Sequence, residues 1–339
     1  TKYFKDIELD ILSLFDDLDN ELDGWLIHSE NYQALNTILS KFKERIQTIY
    51  IDPPFNTGKD FLYKDNFQDS NWLTLIENRI KLANELLNES GSIYVNFDTS
   101  SNYRGRELFE EIFGKENFLN EIVWNTAPLN VAGFKTQAKN WIYAISTIYL
   151  FCKNKKRYKF KFPRYQIPKF IYNYFEYDGE DEFGKYRMSR YGEKIYIDKE
   201  QGDRIPNVWN DILSFNYIYV ASDESFGFLT QKPERLLKRI IESISDEGEI
   251  VLDFFLGSGT TTAVAHKLKR KWIGIEMGEY FFTIVLPRIK KVLTYDKSGI
   301  SKEEDVKEKY NENKAGGFFK YFDLEQYEDS LNNIKIKDN

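Results

Sequence analysis

Two short segments of the sequence combine residue types that suit chemistry on a bound ligand. The first is Asp52-Pro53-Pro54-Phe55, in which two prolines fix the backbone and remove two amide donors. The segment presents carbonyl acceptors, one carboxylate and an aromatic face, a combination that suits an amino group on a flat heterocycle. A proline-stiffened turn with a capping aspartate is the alternative, and this segment alone leaves both interpretations open.

The second segment is Asp253-Phe254-Phe255-Leu256-Gly257-Ser258-Gly259-Thr260. Its two glycines permit a sharp turn close to a ligand, and the helix that follows begins with free amide donors. The third glycine of the dinucleotide fingerprint is absent, as is a Gly-Lys-Ser/Thr phosphate loop. Seventeen residues after Gly259 stands Glu276, at the end of a predicted strand, where an acid can bind ribose hydroxyls. A nucleoside-sized site is predicted, although an ordinary exposed glutamate would also fit the spacing.

Both segments follow predicted strands in a pattern of alternating strands and amphipathic helices. The predicted strands are 48–51, 93–95, 250–252 and 272–275, and the predicted helices are 32–42, 72–87, a helix ending at Gly114, and 261–268. Such alternation predicts an α/β fold with a mostly parallel sheet covered by helices on both faces. The carboxyl ends of such strands bind ligands, which is where both segments lie.

The stretch from Lys153 to Phe226 breaks this alternation, with many aromatics, short alternating runs and no convincing helix. We interpret it as an inserted, β-rich module. It opens with eight basic residues and no acid between Lys153 and Lys169, interleaved with aromatics. A lysine-guarded edge strand is one interpretation of this run, and a surface that contacts a polyanion is the other.

Composition excludes several classes of protein. One cysteine and two histidines rule out a disulfide framework and most metal centres, and no metal site is predicted. The longest apolar run, 141–152, is too short to span a bilayer. With no signal peptide, the expected compartment is a reducing cytoplasm. The net charge of −7 gives no global support to nucleic-acid binding. The length predicts about two domains. Because residue 1 is Thr1, we expect either that the chain begins inside a longer natural protein or that it has been trimmed.

The two segments together resemble the S-adenosylmethionine-dependent DNA amino-methyltransferases. The catalytic motif precedes the cofactor motif, which is the order of their beta class, and the modification (Mod) subunits of type III restriction–modification systems are most similar. Further matching segments are Ser29-Glu30-Asn31, Asn56-Thr57-Gly58, Gly91-Ser92-Ile93-Tyr94-Val95, Thr230-Gln231-Lys232-Pro233-Glu234-Arg235 and Gly316-Gly317-Phe318-Phe319-Lys320-Tyr321. The resemblance implies a Rossmann-like class I methyltransferase fold with circularly permuted motif order.

The resemblance also implies roles for individual residues. Asp52 and the Pro53 carbonyl would accept hydrogen bonds from the exocyclic amine of a flipped base, and Phe55 would stack on it. The implied catalytic residues are Asp52, Pro53, Pro54 and Phe55. The implied cofactor-binding residues are Glu30, Asn31, Lys232, Asp253, Phe254, Gly257, Ser258, Gly259, Thr260 and Glu276. The implied DNA-binding residues are Lys59, Lys155, Lys156, Arg157, Lys161 and Arg164.

The predicted organisation is a catalytic half (1–152), a target-recognition insert (153–226), a cofactor-binding half (227–294) and a C-terminal extension (295–339). The expected partners are S-adenosylmethionine, double-stranded DNA, a restriction subunit and a second modification subunit, with no membrane. An aspartate before the two prolines is associated with adenine as the target base. The alternatives are an enzyme that modifies the exocyclic amine of cytosine, a catalytically idle DNA-specificity component and a nicotinamide-dependent oxidoreductase.

Overall fold

The computed structural model describes residues 9–10, 13–58, 65–126, 141, 144–165, 178–188, 191–196, 203–215 and 222–325. Its strands form one nine-stranded sheet and two small antiparallel sheets. In chain order the strands are β1 (Gly24–His28), β2 (Ile46–Ile51), β3 (Leu87–Phe97), β4 (Phe118–Asn125), β5 (Ile145–Cys152), β6 (Arg164–Tyr165), β7 (Gly179–Asp181), β8 (Gly184–Met188), β9 (Lys194–Tyr196), β10 (Asp203–Arg204), β11 (Val208–Trp209), β12 (Ile250–Asp253), β13 (Lys271–Glu276) and β14 (Phe319–Asp323).

The nine-stranded sheet has the order β11–β4–β5–β3–β2–β12–β13–β1–β14. Its neighbouring strands are parallel except for the two pairs that β5 makes, with β3 and with β4. β2 and β12 are direct neighbours, with Val251 opposite Thr48 and Leu252 opposite Ile49. The predicted, mostly parallel sheet is confirmed, and the segments that follow β2 and β12 leave it at the same edge.

Helices cover both faces of this sheet, as predicted. They are α1 (Leu18–Glu21), α2 (Asn31–Phe42), α3 (Asp69–Leu86), α4 (Asn102–Phe113), α5 (Glu234–Ile244), α6 (Thr260–Lys267), α7 (Leu286–Leu293) and α8 (Glu304–Lys307). Side chains alternate along β2, so Ile49 and Ile51 pack in one core with α2, α3 and α4. Tyr50 points the other way and packs in a second core with α5, α6 and α7.

Two strands join the large sheet from stretches that we expected to lie apart from it. β11 falls within the predicted insert, yet it pairs in parallel with β4, and its Trp209 is buried. β14 falls within the predicted C-terminal extension and pairs in parallel with β1. Both are edge strands of a few residues, too short for a hydrophobic period to be recognised in the sequence. The four domain boundaries stay a prediction.

The predicted strands and helices next to the segments 52–55 and 253–260 are present. β3 is longer than predicted, because it begins at Leu87 rather than at residue 93. α4 ends before Gly114, whose φ of 88° is a conformation that favours glycine. Among the described residues, no helix is both long and apolar enough to cross a membrane.

Candidate active site

A cleft of about 430 Å³ opens where β2 and β12 end at the carboxyl edge of the sheet. It is large enough for a nucleoside-sized molecule. The predicted site residues that line it are Glu30, Asn31, Asp52, Pro54, Lys232, Asp253, Phe254, Gly257, Ser258, Thr260 and Glu276. Pro53, Phe55 and Gly259 belong to the same loops but are not among its lining residues. The structure thus gathers two motifs that are far apart in the chain around one cavity.

The carboxylate of Asp52 is held by two donors. Its Oδ1 accepts a hydrogen bond from Nδ2 of Asn96 at 2.6 Å, and its Oδ2 pairs with the ammonium of Lys232. The side chains of Asp52 and Lys232 are only 17% and 15% exposed. Asp52 is therefore presented to the cleft as an oriented, charged acceptor.

The proline loop after Asp52 is fixed by donors from neighbouring helices and loops. The buried indole of Trp72 donates from Nε1 to the Pro54 carbonyl at 2.7 Å. The hydroxyl of Ser100 donates to the Phe55 carbonyl at 3.2 Å. The Phe55 ring is half-buried against the core, and the Lys232 ammonium lies 6.0 Å from its centroid. The backbone on both sides of Phe55 is thus anchored by hydrogen bonds.

Asp65 closes the turn that follows Phe55. Its carboxylate accepts hydrogen bonds from the backbone amide of Asn56 at 2.7 Å and from that of Thr57 at 3.1 Å. Asn56 has a left-handed φ of 58°, a strained conformation that these bonds hold. Asp65 is only 1% exposed, and no sequence pattern pointed to it.

The loop after β12 turns through two glycines with left-handed backbones, Gly257 (φ 57°) and Gly259 (φ 78°). Arg288 supports this loop from beneath by donating to the Thr260 hydroxyl at 2.8 Å and to the Ser258 carbonyl at 3.3 Å. Arg288 is itself fully buried and forms an ion pair with Glu234 at 3.0 Å. The glycine loop is therefore held by a buried arginine that is itself paired with a buried glutamate.

Glu276 is buried and accepts four hydrogen bonds from the protein. Oε1 accepts from the amides of Met277 and Gly278 at 2.8 and 2.9 Å and from the Tyr280 hydroxyl at 2.8 Å. Oε2 accepts from the Gly257 amide at 2.8 Å. Burial raises the pKa of Glu276, and the four hydrogen bonds oppose that rise. Because a carboxylate has about four lone-pair positions, a ribose hydroxyl would have to replace or share one of these donors.

Asp253 is a buried carboxyl group that lines the cleft and accepts two hydrogen bonds. The Thr261 hydroxyl donates to its Oδ2 at 2.5 Å, and the Phe255 amide donates to its Oδ1 at 3.0 Å. Burial raises the pKa of Asp253 to about 7, helped by the negative charges of Asp52 and Glu276 and opposed by the two hydrogen bonds. A cation bound beside Asp253 would favour its ionised form.

Glu30 and Asn31 are held by Arg79, which the sequence did not single out. Arg79 donates to Glu30 Oε1 and to Asn31 Oδ1, each at 2.5 Å. Glu30 also caps α2 by accepting from the Gln33 amide at 3.0 Å, and Asn31 donates to the Phe254 carbonyl at 2.8 Å. These contacts tie α2 and α3 to the loop after β12, while contact of Glu30 or Asn31 with a cofactor stays a prediction.

Sequence reasoning missed several residues that line the cleft, among them Tyr50, Arg79, Phe228 and Tyr280. The rings of Phe228 and Tyr280 lie 4.9 Å apart at one wall. The Tyr50 hydroxyl is buried and has no hydrogen-bond partner within the described part of the chain. Tyr50 could have been found, because it stands two positions before Asp52 and the period of a strand puts both on one face.

The basic run predicted to contact DNA begins at the opposite edge of the sheet from Asp52. Since β5 is antiparallel to β3, Cys152 lies opposite Ser92, and the Lys153 amide donates to the Gly91 carbonyl at 2.9 Å. At about 3.3 Å per residue, Gly91 lies roughly 16 Å along β3 from Asn96, the partner of Asp52. The basic run therefore begins at the edge of the sheet that lies away from the cleft.

The individual basic side chains of this run have different surroundings. Lys155 and Lys156 are exposed, Arg157 lies 3.7 Å from Glu89, and Lys161 pairs with Asp246. Lys59 and the side chain of Arg164 lie outside the described residues. DNA contact by any of these residues stays a prediction.

Comparison with known proteins agrees with the geometry of this cleft. A protein from Haemophilus influenzae named "Probable type III restriction-modification enzyme HindVI Mod subunit" is 29% identical over 91% of this chain and 55% of its own length. The chain thus spans about half of that relative. The DNA adenine methyltransferase YhdJ of Escherichia coli is 29% identical over 82% of this chain and 86% of its own length.

Among solved structures, the PvuII DNA methyltransferase (cytosine-N4-specific) aligns with 90% of this chain and 98% of its own, with a TM-score of 0.52 and 18% identity. That likeness supports the class I methyltransferase fold. A family model described as DNA methylase matches residues 46–286, a span that holds both Asp52 and the glycine loop. The resemblance seen in the sequence is confirmed, and the chain belongs to the DNA methylase family.

Proposed function

We propose that this protein transfers a methyl group from S-adenosylmethionine to the exocyclic amine of adenine in double-stranded DNA, as the modification component of a restriction–modification system. The observation that carries the proposal is that Asp52 of the proline loop and Asp253 of the glycine loop meet at one cleft. Family membership and the adenine methyltransferase among the relatives support it.

The residues of the cleft fit S-adenosylmethionine. Asp253 is a buried carboxylate suited to the cofactor's amino group, and the backbone around Gly257 and Ser258 can approach its methionine part closely. Glu276 would accept from the ribose, in exchange with one of its present donors such as the Tyr280 hydroxyl. The unpartnered, buried hydroxyl of Tyr50 leaves a polar group that a ligand can satisfy. When bound, the cofactor supplies an electrophilic methyl group.

The contribution of the protein is then to position the attacking amine. Asp52 and the Pro53 carbonyl accept the two hydrogens of the amine, and Phe55 stacks on the base. The carboxylate stabilises the positive charge that grows on nitrogen as the new bond forms. Lys232, which pairs with Asp52, lies where it can also face the cofactor's carboxylate, because its side chain lines the same cleft.

Adenine is the proposed target because an aspartate precedes the two prolines. A cytosine amine is the second candidate, and the cytosine-N4-specific enzyme among the structures of the same fold is the observation that keeps it open. The whole-protein partners that we propose are a restriction subunit and a second modification subunit, in keeping with the Mod-subunit relatives. A cytoplasmic location is proposed with them.

Methyl transfer can be tested directly by incubating the chain with DNA and labelled S-adenosylmethionine, then digesting the DNA and identifying the modified nucleoside by mass spectrometry. N6-methyladenine is expected. Detection of N4-methylcytosine instead would make cytosine the target base. The absence of any modified base would refute the proposal. Asp52→Ala should abolish transfer with DNA and cofactor affinity within a few-fold of wild type, because it removes an interaction that strengthens in the transition state. Asp52→Asn should retain weak activity.

A further inference from the structure

Asn96 lies beside Asp52 at the centre of the sheet, although no motif drew attention to it. It stands in β3, and β3 pairs in parallel with β2 so that Ile51 is opposite Val95. Asn96 is only 1% exposed, and its Nδ2 donates to Asp52 Oδ1 at 2.6 Å. Of the groups that bond Asp52, it is therefore the one farthest from water.

The orientation of the Asn96 amide is determined by its two neighbours. An ionised Asp52 can only accept, so the amide must turn its NH₂ group toward the carboxylate. The amide oxygen then faces Ser146 in β5, whose hydroxyl donates to Asn96 Oδ1 at 2.6 Å. The same hydroxyl lies 3.2 Å from the Phe97 carbonyl, a longer and weaker contact. A chain of two hydrogen bonds thus runs from β5 through β3 to β2.

We propose that Ser146 and Asn96 are positioning residues that orient the catalytic carboxylate of Asp52. Asn96 engages Oδ1, which directs Oδ2 toward Lys232 and leaves its remaining lone pair for the amine of the target base. The inference rests on the proposed function, because it assigns these residues a part in presenting Asp52 to the amine. A misdirected carboxylate would still let DNA and cofactor bind but would present the amine poorly to the methyl group.

Simple packing does not account for this pair of polar residues. Neighbouring positions on the same face, Tyr94 in β3 and Ile148 in β5, are filled by large, mostly apolar side chains. Burying an amide and a hydroxyl in such a place costs free energy unless both are hydrogen-bonded. An apolar residue at 96 would fill the space without that cost but would leave Asp52 without its buried donor.

The first test replaces Asn96 by leucine, which has a similar size and no donor. In a methyl-transfer assay, kcat should fall about 10- to 100-fold, while KM for DNA and for S-adenosylmethionine stays within about threefold. A thermal unfolding curve is recorded for each variant to check that it is folded. A residue that served only structure would instead lower stability and leave the kcat of the folded fraction unchanged.

The second test is Asn96→Asp, which has a distinct pH signature. Two carboxyl groups in contact resist joint ionisation, so the introduced carboxyl keeps a proton to a higher pH than usual. While protonated it can donate to Asp52 as the amide does, so activity should be rescued toward low pH and lost as pH rises. The charged groups Lys232 and Asp253 also face Asp52, and both are present in the wild type and in every variant.

Ser146→Ala should lower kcat by a smaller factor, about 3- to 10-fold, because the amide keeps its place but loses its anchor. Its matched control is Ser92→Ala, in the same strand as Asn96. Ser92 is fully buried, and its hydroxyl has no hydrogen-bond partner within the described residues. The control should keep the wild-type kcat.

The outcomes separate this inference from the proposed function. A wild-type chain that methylates no base would refute the proposed function. An active wild type with Asn96→Leu at the same kcat, or with Asn96→Asp showing an unchanged pH profile, would refute the positioning role alone. If Asn96→Leu does not fold, the positioning role is tested by the pH profile of Asn96→Asp and by the comparison of Ser146→Ala with Ser92→Ala.

Discussion

Replacing Asp253 by asparagine tests whether this carboxyl group must lose its proton to bind a positively charged group in the cleft. Folding raises the pKa of Asp253 from 3.8 to about 7. A group raised in this way contributes stability that is fully present below about pH 4 and is lost as the pH rises through about 7. Each pKa unit corresponds to about 1.36 kcal/mol, so this shift lowers the free energy of unfolding by about 4 kcal/mol between low and high pH.

The asparagine variant should lack this pH dependence. Its amide stays neutral, its oxygen can still accept from the Phe255 amide, and its NH₂ group can donate to the Thr261 hydroxyl. From pH 4 to pH 8 the wild type should therefore lose about 4 kcal/mol of unfolding free energy that the variant does not lose. Urea denaturation at several pH values measures it.

Cofactor binding should respond in the opposite direction. If Asp253 must be ionised to accept from the cofactor's amino group, a pKa of about 7 makes wild-type affinity rise about tenfold from pH 6 to pH 8. Asp253→Asn should bind about 12- to 160-fold more weakly at pH 8, the equivalent of about 1.5–3 kcal/mol for a hydrogen bond to a charged group. Titration of the cofactor's own amino group affects both proteins alike.

Calorimetry at pH 6, 7 and 8, in buffers of different ionisation enthalpy, reports both the affinity and the proton released. Asp98→Asn is the matched control, because Asp98 also follows a strand at the carboxyl edge but does not line the cleft. Equal affinity of Asp253→Asn and wild type, or binding without proton release at pH 6, would remove Asp253 from the proposed cofactor site.

Three further predictions follow from other contacts. Glu276→Gln should weaken S-adenosylmethionine binding about tenfold or more by calorimetry, through loss of a charged acceptor; unchanged affinity in the folded variant would exclude a ribose contact. Replacing Lys155, Lys156 and Arg157 by alanine should reduce the salt slope of binding to a DNA duplex by up to about three units, if each contacts a phosphate. An unchanged salt slope would exclude these three residues, which lie at the sheet edge away from Asp52, from the DNA interface. Lys267→Met should cost about 1–3 kcal/mol in urea denaturation, since the buried Glu234 and Asp296 lose the cation that they share and keep only Arg288 and Lys291, respectively; an unchanged free energy of unfolding would contradict this.

The sequence was sufficient to predict the parallel sheet and the cleft, for a physical reason. Buried parallel strands are near-continuous apolar runs, and ligand-binding residues follow them directly, as Asp52 follows β2 and Asp253 ends β12. Because such strands share one carboxyl edge, the two motifs had to lie on the same side of the sheet whatever the strand order. Their direct adjacency needed the structure, since strand order is not a periodic property of the sequence.

The direction of β5 was beyond the same reasoning. Its eight residues look like any buried strand, yet it is antiparallel to both neighbours, so the basic run after Cys152 emerges at the edge opposite the cleft. Partners of single side chains were equally hidden. Arg79, Asn96 and Asp65 stand in ordinary helix, strand and loop contexts, and only the fold brings them to Glu30, Asp52 and the turn after Phe55.

The charges around the cleft discriminate between the two cofactor classes that the sequence left open. Four acids line it, Glu30, Asp52, Asp253 and Glu276, against two bases, Arg79 and Lys232. Each base is already paired with one of those acids, Arg79 with Glu30 and Lys232 with Asp52. The two acids left over, Asp253 and Glu276, give a negative field to the extent that they are ionised, and a bound cation favours their ionised forms. A dinucleotide would bring a pyrophosphate beside these acids, whereas S-adenosylmethionine brings a sulfonium and an ammonium against one carboxylate, a net positive charge. The cleft therefore favours the sulfonium cofactor over a nicotinamide one on electrostatic grounds as well as on the missing third glycine.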